Sequence, residues 1–326
     1  MGRSIEVDAP QPHPWPALPL SEWRATRDTL HMWTQIVGKV KLALAPPQNH
    51  WWQVPLYVSA RGLTTAAIPS GDRTLEILFD LVDHDLVVTV SDGGVKAMPL
   101  VPRSVASFYQ ELMSVLRALD VSAHVWPMPV EVREPIAFDR DEVHCSYDAA
   151  FANRFWRALI QADSVLRTFA GRFQGKQSPV HFFWGSFDLA CTRFSGRPAP
   201  DRPGADRITR EAYSQEVMSF GLWPGGDVIE EAAFYAYATP EPAGFRKAAL
   251  RPAGARYVRE LSEFILPYDA VRGSDSPRDA ALEFFQGAYE EGATLGKWDR
   301  AALDRPSKES PPGEGASGNP SVHPSS

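Results

Sequence analysis

The stretch VHFFWGSFDLACTRF, residues 180–194, places titratable side chains in an otherwise apolar run. If the run is one strand, His181 and Arg193 lie on one face, and Trp184 and Asp188 lie on the other. Because both faces are largely apolar, we expect the strand to be covered on both sides. A buried charge there must be paired or must border a solvated cavity. The run therefore predicts a pocket lined by these four residues; the alternative is an internal pair between the aspartate and the arginine, or a network in which they cap backbone groups.

A similar run in the first half of the chain supplies further candidate binding residues. His50 begins HWW as His181 begins HFF, and Arg61 follows the first run as Arg193 ends the second. Under two-fold packing the two histidines would face each other and share a metal or an anion. No HxH or HExxH spacing accompanies them, so we predict no metal site. Glu216, in the run YSQEVMSF, is a further candidate carboxylate.

The elements that would position these residues recur along the chain. Residues 20–130 and residues 131–303 each have the hydrophobic periodicity of a helix, four strands and a helix. Trp33 and Trp156 hold similar places in the opening helices, and the closing helices share FYQ and FFQ. We predict an α+β fold of two related α-β-β-β-β-α halves, with mainly antiparallel sheets flanked by helices. Chance similarity between two α+β segments is the alternative.

Both ends of the chain differ in composition from these halves. Residues 1–19 contain five prolines and are predicted to form an extended arm, with Trp15 and Leu18 as its anchors. Residues 304–326 are rich in Pro, Ser and Gly and carry almost no apolar side chains. Such a segment cannot offset the entropy of ordering, so we expect a disordered tail.

The composition of the 326 residues argues against several classes of protein. With 44% hydrophobic residues the chain can bury a large core, and its net charge of −7 argues against nucleic-acid binding. No apolar stretch reaches the roughly eighteen residues of a membrane span, so we expect no membrane association. Two cysteines cannot form a disulfide framework, and the first residues do not have the pattern of a secretory signal. These features favour a cytoplasmic protein.

Five strings in the chain are long and unusual. They are WPALPLSEWRATRDTLHMWTQIVGKVKLA, SARGLTT, PSGDRTLEILFDLVDHDL, SPVHFFWGSFDLACTRFSGR and EFILPYDAVR. In these strings the chain resembles a bacterial family of uncharacterised proteins, over roughly residues 15–303. The resemblance implies a bacterial, soluble protein, and it implies no activity and no catalytic residue.

The polar side chains on otherwise buried strands favour a small-molecule-binding protein or an enzyme. The arginines among them favour a small anionic metabolite as the ligand. The sequence contains no GxSxG nucleophile elbow and no Walker A motif, so it names no reaction and no cofactor. The alternative is a protein-interaction module that docks a partner through exposed aromatic residues such as Trp51 and Trp52. The sequence leaves the oligomeric state open.

Overall fold

The structure is a computed structural model in which residues 13–306 are described. Within this range the chain forms seven α-helices and two antiparallel six-stranded sheets, which confirms the predicted α+β class. None of the described helices is long and apolar enough to cross a membrane. The part of the arm that is described is anchored as predicted, since Trp15 and Leu18 are each 4% exposed.

The first half of the chain forms the first sheet and two long helices. Its elements in order are α1 (Leu20–Leu44), β1 (Tyr57–Val58), β2 (Gly62–Thr64), β3 (Ile68–Ser70), β4 (Arg73–Asp80), β5 (Asp85–Val90), β6 (Val95–Pro99) and α2 (Val105–Ala118). The strands lie in the order β1-β2-β4-β5-β6, with β3 beside β4. Helix α2 begins after Ser104, because the hydroxyl of Ser104 accepts a hydrogen bond from the N–H of Ser107 and caps the helix.

The second half forms the second sheet and the remaining helices. Its elements in order are α3 (Ala149–Ala170), β7 (His181–Phe183), β8 (Asp188–Pro198), α4 (Arg207–Ala212), β9 (Gln215–Trp223), β10 (Ala233–Thr239), β11 (Arg256–Val258), β12 (Glu263–Pro267), α5 (Tyr268–Arg272), α6 (Pro277–Leu295) and α7 (Arg300–Leu303). The strands lie in the order β11-β12-β10-β9-β8-β7. Helices α3 and α6 cover one face of this sheet, where Phe169 and Phe285 pack against Phe220 of β9.

The two sheets meet at one edge of each. Leu56 and Phe182 exchange two backbone hydrogen bonds, of 2.9 and 2.8 Å, so the edge strands β1 and β7 lie side by side. In both halves an opening helix, an antiparallel sheet and a closing helix follow one another, as predicted. Each sheet has six strands rather than four: β2 and β3 are additional strands in the first half, and in the second half the β7–β8 hairpin and the pair β11–β12 each replace one predicted strand. An origin of the halves by duplication stays a prediction.

The run that begins at His181 is a hairpin, and its prediction as a single strand is wrong. The chain reverses within the sequence WGSF, where Phe187 adopts a left-handed φ of 60°. The pairing of β7 with β8 sets His181 opposite Ala190, and directly opposed residues of antiparallel strands share a face of the sheet. Alternation along β8 then places Asp188 on that same face and Arg193 on the other. A pair between Asp188 and Arg193 is therefore excluded.

His50 and His181 do not occupy equivalent positions, contrary to the prediction. His50 lies in a 3-10 turn (Asn49–Trp51) with a left-handed φ of 57°, and the first strand begins only at Tyr57. Pro55 lies between this turn and β1, where it has no N–H to donate to a sheet.

The predicted boundary of the tail falls a few residues too early. Asp304 accepts a hydrogen bond of 2.5 Å from the hydroxyl of Tyr289 and one of 3.0 Å from Arg300. Residues 304–306 therefore belong to the folded part. The rest of the predicted tail, like residues 1–12 of the predicted arm, lies outside the described residues.

Candidate ligand-binding site

A cavity of about 590 Å³ lies against the face of the second sheet that α3 and α6 leave open. Strands β8, β9 and β10 form its floor. Its cover comes from α4, from the end of α1, from the 3-10 turn with the residues that follow it, and from the loop between α2 and α3 that contains Trp126 and Glu131. The two halves of the chain therefore build the cavity together.

A second depression, of about 560 Å³, lies along α6. Most of its lining side chains are exposed, and many are charged, such as Arg172, Glu283 and Glu290. No aromatic side chain lines it among the described residues. The cavity on the second sheet is therefore the better candidate for a ligand site.

Aromatic side chains form the walls of the cavity. They are Trp51, Trp52, Trp126, Phe183, Trp184 and Phe194. Trp184 is fixed by a hydrogen bond of 2.8 Å from its indole N–H to the carbonyl of Val54. Its ring lies so close to Gly38 of α1 that any β-carbon at residue 38 would overlap it. A glycine inside α1, which lowers helix stability, thus leaves room for a wall of the cavity.

Asp188 is the buried acid in the floor of the cavity. It is 7% exposed and accepts hydrogen bonds from the hydroxyls of Ser186 and Tyr235. Burial raises the pKa of Asp188, and the two hydroxyl donors oppose that rise. Nearby, the hydroxyls of Tyr213 and Tyr237 lie 2.8 Å apart. The described residues of the floor thus offer a carboxylate and phenolic hydroxyls, and none of them is cationic.

Helix α1 positions a second carboxylate, that of Glu131. The side-chain amide of Gln35 holds the loop by bonding both the N–H and the carbonyl of Val130, each at 2.8 Å. His31 donates from Nε2 to the carbonyl of Gly185, at 2.8 Å. A β-carbon at Gly185 would overlap the carboxylate of Glu131. Contacts from one helix therefore bring the loop and the turn of the β7–β8 hairpin together.

The carboxylate of Glu131 has no hydrogen-bond or ion-pair partner among the described residues. The residue is exposed at the rim of the cavity, and its backbone is left-handed, with a φ of 56°. Its pKa is raised to about 6, first because protein surrounds the carboxylate and then because the charges of Asp188 and Asp206 repel it. A group with such a pKa can accept and release a proton near neutral pH.

Lys39 of α1 brings an ammonium group to the cavity. It is 5% exposed, and its Nζ lies 4.8 Å from the ring centroid of Trp126. Within the described part of the chain it has neither a hydrogen-bond acceptor nor a carboxylate partner. Burial alone lowers the pKa of Lys39 to about 8. Lys41 is equally buried but donates a hydrogen bond of 2.5 Å to the carbonyl of Pro55.

A model of a family of unknown function (DUF5996) matches residues 15–305. The chain belongs to this family. No curated protein and no solved structure matches it. The range that the DUF5996 family covers includes both the floor and the cover of the cavity. The cavity therefore lies entirely within the part of the chain that places it in the family.

Three of the predicted site residues of this DUF5996 protein line the cavity: His50, Trp184 and Asp188. His50 is 7% exposed, and its Nε2 lies 2.5 Å from the Nζ of Lys176. Burial and the charge of Lys176 lower the pKa of His50. Its imidazole is therefore neutral at neutral pH.

His181 lies on the face of the floor but behind the aromatic walls. Its ring is fully buried, with its centroid 5.5 Å from that of Tyr57 and 6.3 Å from that of Trp52. Neither of its nitrogens has a hydrogen-bond partner among the described residues. Burial lowers the pKa of His181 to about 3, so the ring is neutral. It supports a wall of the cavity rather than lining the space.

The other three predicted residues lie away from the cavity. Arg61 is an exposed residue that pairs with Asp80 at 2.5 Å. Glu216 pairs with Arg197 at 2.6 Å. Alternation along β8 and β9 turns Arg193 and Glu216 toward the helices, since the cavity-facing residues of these strands have the opposite parity.

Four polar residues around the cavity are not predicted from the sequence: Lys39, Glu131, Tyr235 and Tyr237. The two tyrosines alternate in EAAFYAYA, and that spacing is a usable signal for one face of a strand. Lys39 stands in the apolar stretch IVGKVKLAL, where a charge is unusual. Glu131 carries no local signal, because its neighbours come from α1 and from the β7–β8 turn.

Proposed function

We propose that this protein binds a small molecule in the cavity between its two halves. One observation carries the proposal: a space of about 590 Å³ has aromatic walls, a buried carboxylate in its floor and a buried ammonium group at its side. Small-molecule sites typically have volumes of roughly 300–1,000 Å³, apolar walls and a few placed polar groups. Burying Asp188 and Lys39 without ion pairs is unfavourable, and a ligand would supply the missing partners.

The arginines that suggested an anionic metabolite do not support it in this cavity. Arg61 and Arg193 lie elsewhere, whereas Lys39 lines the space. An acidic group on the ligand would therefore face Lys39. The raised pKa of Glu131 would suit proton transfer to or from a bound molecule, so the proposal includes an enzyme. The bacterial origin and the cytoplasmic location stay predictions from the sequence.

The alternative function, docking of a partner protein through exposed aromatic residues, has less support. Trp51 and Trp52 are half-buried and form walls of the cavity. Trp126, at 62% exposure, is the large aromatic residue that the described surface presents most openly. It stands at the cavity as well, which fits a ligand entrance better than a separate docking surface.

A thermal-shift screen tests the proposal with neutral, acidic and basic fragments. A fragment that binds the folded state should raise Tm and should change the fluorescence of the tryptophans in the walls. Thr192→Phe would place a ring in the cavity from the floor and should abolish both effects. Thr89→Phe, the same change at an exposed position of β5, is the matched control and should keep them.

Two results would refute binding in the cavity. One is that no fragment of any charge class raises Tm. The other is that Thr192→Phe, shown to be folded by its own cooperative melt, binds every fragment as the wild type does.

A further inference from the structure

We propose that the cavity takes a bipolar small molecule, one that carries an ammonium or guanidinium group together with an acidic group, as an amino acid does. This ligand class rests on the proposed function and makes it chemically specific. The two ends of the cavity indicate it. Carboxylates without a counter-charge gather at the second sheet, and the ammonium group of Lys39 approaches from α1.

Two carboxylates, those of Asp188 and Glu131, line the cavity near the second sheet, and Glu263 of β12 lies near enough for the charge of Asp188 to act on it without lining the space. Asp188 has only hydroxyl donors, and Glu131 and Glu263 have no hydrogen bond or ion pair with any described residue. The pKa values of Glu131 and Glu263 are raised to about 6 and about 7, first because the surrounding protein desolvates the carboxylates and then because the charge of Asp188 repels them. An ammonium or guanidinium group placed there would offset this repulsion.

The surroundings of these carboxylates fit an organic cation. The rings of Tyr235 and Tyr237 stack with their centroids 6.1 Å apart, beside the hydroxyl of Tyr213. Aromatic faces attract ammonium and guanidinium groups through their quadrupoles. The described residues contain no group of three His, Cys, Asp or Glu side chains that could hold a metal ion. A positively charged ligand group is therefore the better match for this end.

The ammonium group of Lys39 borders the cavity from the side of α1. No carboxylate among the described residues lies within ion-pair distance of its Nζ, so the acids of the same cavity do not neutralise it. Opposite charges thus border one cavity without pairing with each other. That arrangement is unfavourable unless a ligand pairs with both.

Lys41 shows how the fold satisfies a buried lysine without a ligand. It is 5% exposed, as Lys39 is, and its Nζ also lies over an aromatic ring, 4.6 Å from the centroid of Tyr57. It additionally donates to the carbonyl of Pro55 and does not line the cavity. Lys39 has the ring but no acceptor, which leaves its donors for a ligand.

Isothermal titration with the twenty common L-amino acids tests the proposal on the wild-type protein. For each amino acid that binds, the matching amine without the carboxylate and the matching acid without the amine are titrated too. We expect at least one amino acid to bind, and each analogue to bind about tenfold more weakly or worse, the loss expected for one charge-assisted hydrogen bond. An analogue that binds as tightly as its parent would overturn the proposal.

Variants assign the two charges to the two ends. In Lys39→Met the amino acid should bind no more tightly than its amine analogue. In Glu131→Gln the amino acid should exceed its acid analogue in affinity by less than in the wild type. Lys41→Met and Glu134→Gln are matched controls, the first a buried lysine of the same helix and the second an exposed carboxylate of the same loop. Both control variants should bind the amino acid more tightly than either analogue, as the wild type does. Unchanged selectivity in Lys39→Met would overturn the proposal.

The two proposals fail in different ways. If no amino acid binds while other fragments still raise Tm and Thr192→Phe abolishes that effect, the cavity binds small molecules but not bipolar ones. If neither fragments nor amino acids bind, both proposals are wrong.

Discussion

Arg193 is a fully buried cation on the helix side of the second sheet, and its surroundings set the effect of removing its charge. Its Cζ lies 3.5 Å from the ring centroid of Phe169, 4.3 Å from that of Tyr289 and 4.8 Å from that of Phe173. It donates a hydrogen bond of 2.5 Å to the carbonyl of Phe169, while its Nε and Nη1 have no partner among the described residues. The cation is therefore held by rings more than by hydrogen-bond acceptors.

Two opposing contributions decide the stability of Arg193→Met. Burial lowers the pKa of Arg193 well below its ordinary value, to about 10, and at about 1.4 kcal/mol per pKa unit this disfavours the charged form by about 3 kcal/mol. The desolvated contacts with the rings stabilise the cation by about 2 kcal/mol, and Arg193→Met loses this stabilisation. The carbonyl of Phe169 keeps the N–H of Arg172 as a donor, at 3.0 Å, so no acceptor is left unpaired. We expect Arg193→Met to raise the free energy of unfolding by about 1 kcal/mol.

Denaturant unfolding of the wild type, Arg193→Met and Arg193→Lys measures this effect. Lysine keeps the buried charge but loses the planar stacking, so Arg193→Lys should be destabilised by about 2 kcal/mol. A loss of more than about 2 kcal/mol in Arg193→Met would refute the reasoning, since the ring cage would then outweigh the penalty of burial. Adding Asp188→Asn should change stability additively, within about 0.5 kcal/mol, because the two side chains lie on opposite faces of the sheet.

Three further perturbations test contacts that hold the fold together around Gly38, His144 and Asp304. Gly38→Ala should lower Tm by about 4 °C although alanine favours helices, because the methyl group displaces the ring of Trp184; a stabilised variant would contradict this geometry. His144→Gln should lose more stability at pH 5 than at pH 9. The hydrogen bond of 2.7 Å to Asp141 raises the pKa of His144, so its contribution is complete below the unfolded pKa and is lost as pH rises through the folded pKa; equal losses at both pH values would count against it. Ending the chain just before Asp304 should lower Tm, because it removes the acceptor of the hydrogen bond from Tyr289. Ending it after the last described residue should leave Tm unchanged, and thermal melts followed by circular dichroism measure both effects.

The helices and the fold class follow from the sequence because the forces that set them are local. Ser104 caps α2, and Pro277 begins α6, both as their residue types predict. Trp15 and Leu18 belong to the proline-rich arm and are buried against the rest of the protein. The large apolar side chains of such a segment are the ones expected to anchor it. Hydrophobic periodicity also predicts that each half has an opening helix, a set of strands and a closing helix, although not the number of strands.

The turn in the middle of the second candidate run does not follow from the sequence. A strand of fifteen apolar-rich residues and a hairpin of two shorter strands have nearly the same alternation in VHFFWGSFDLACTRF. The reversal at Phe187 changes which residues share a face, so it moves His181 to the side of Asp188. One unrecognised turn therefore changes the membership of the predicted pocket.

The sequence by itself determines that α1 is a largely apolar helix that contains a lysine, Lys39, and that β8 carries an acid, Asp188, among apolar neighbours. Only the tertiary structure decides that Lys39, Glu131 and Asp188 border one cavity. They meet because Gln35 of α1 holds the backbone of Val130, next to Glu131, and because α1 fits closely against the hairpin turn of the second sheet. Such contacts join residues far apart in the chain, and no local periodicity encodes which distant surface will bury an apolar face.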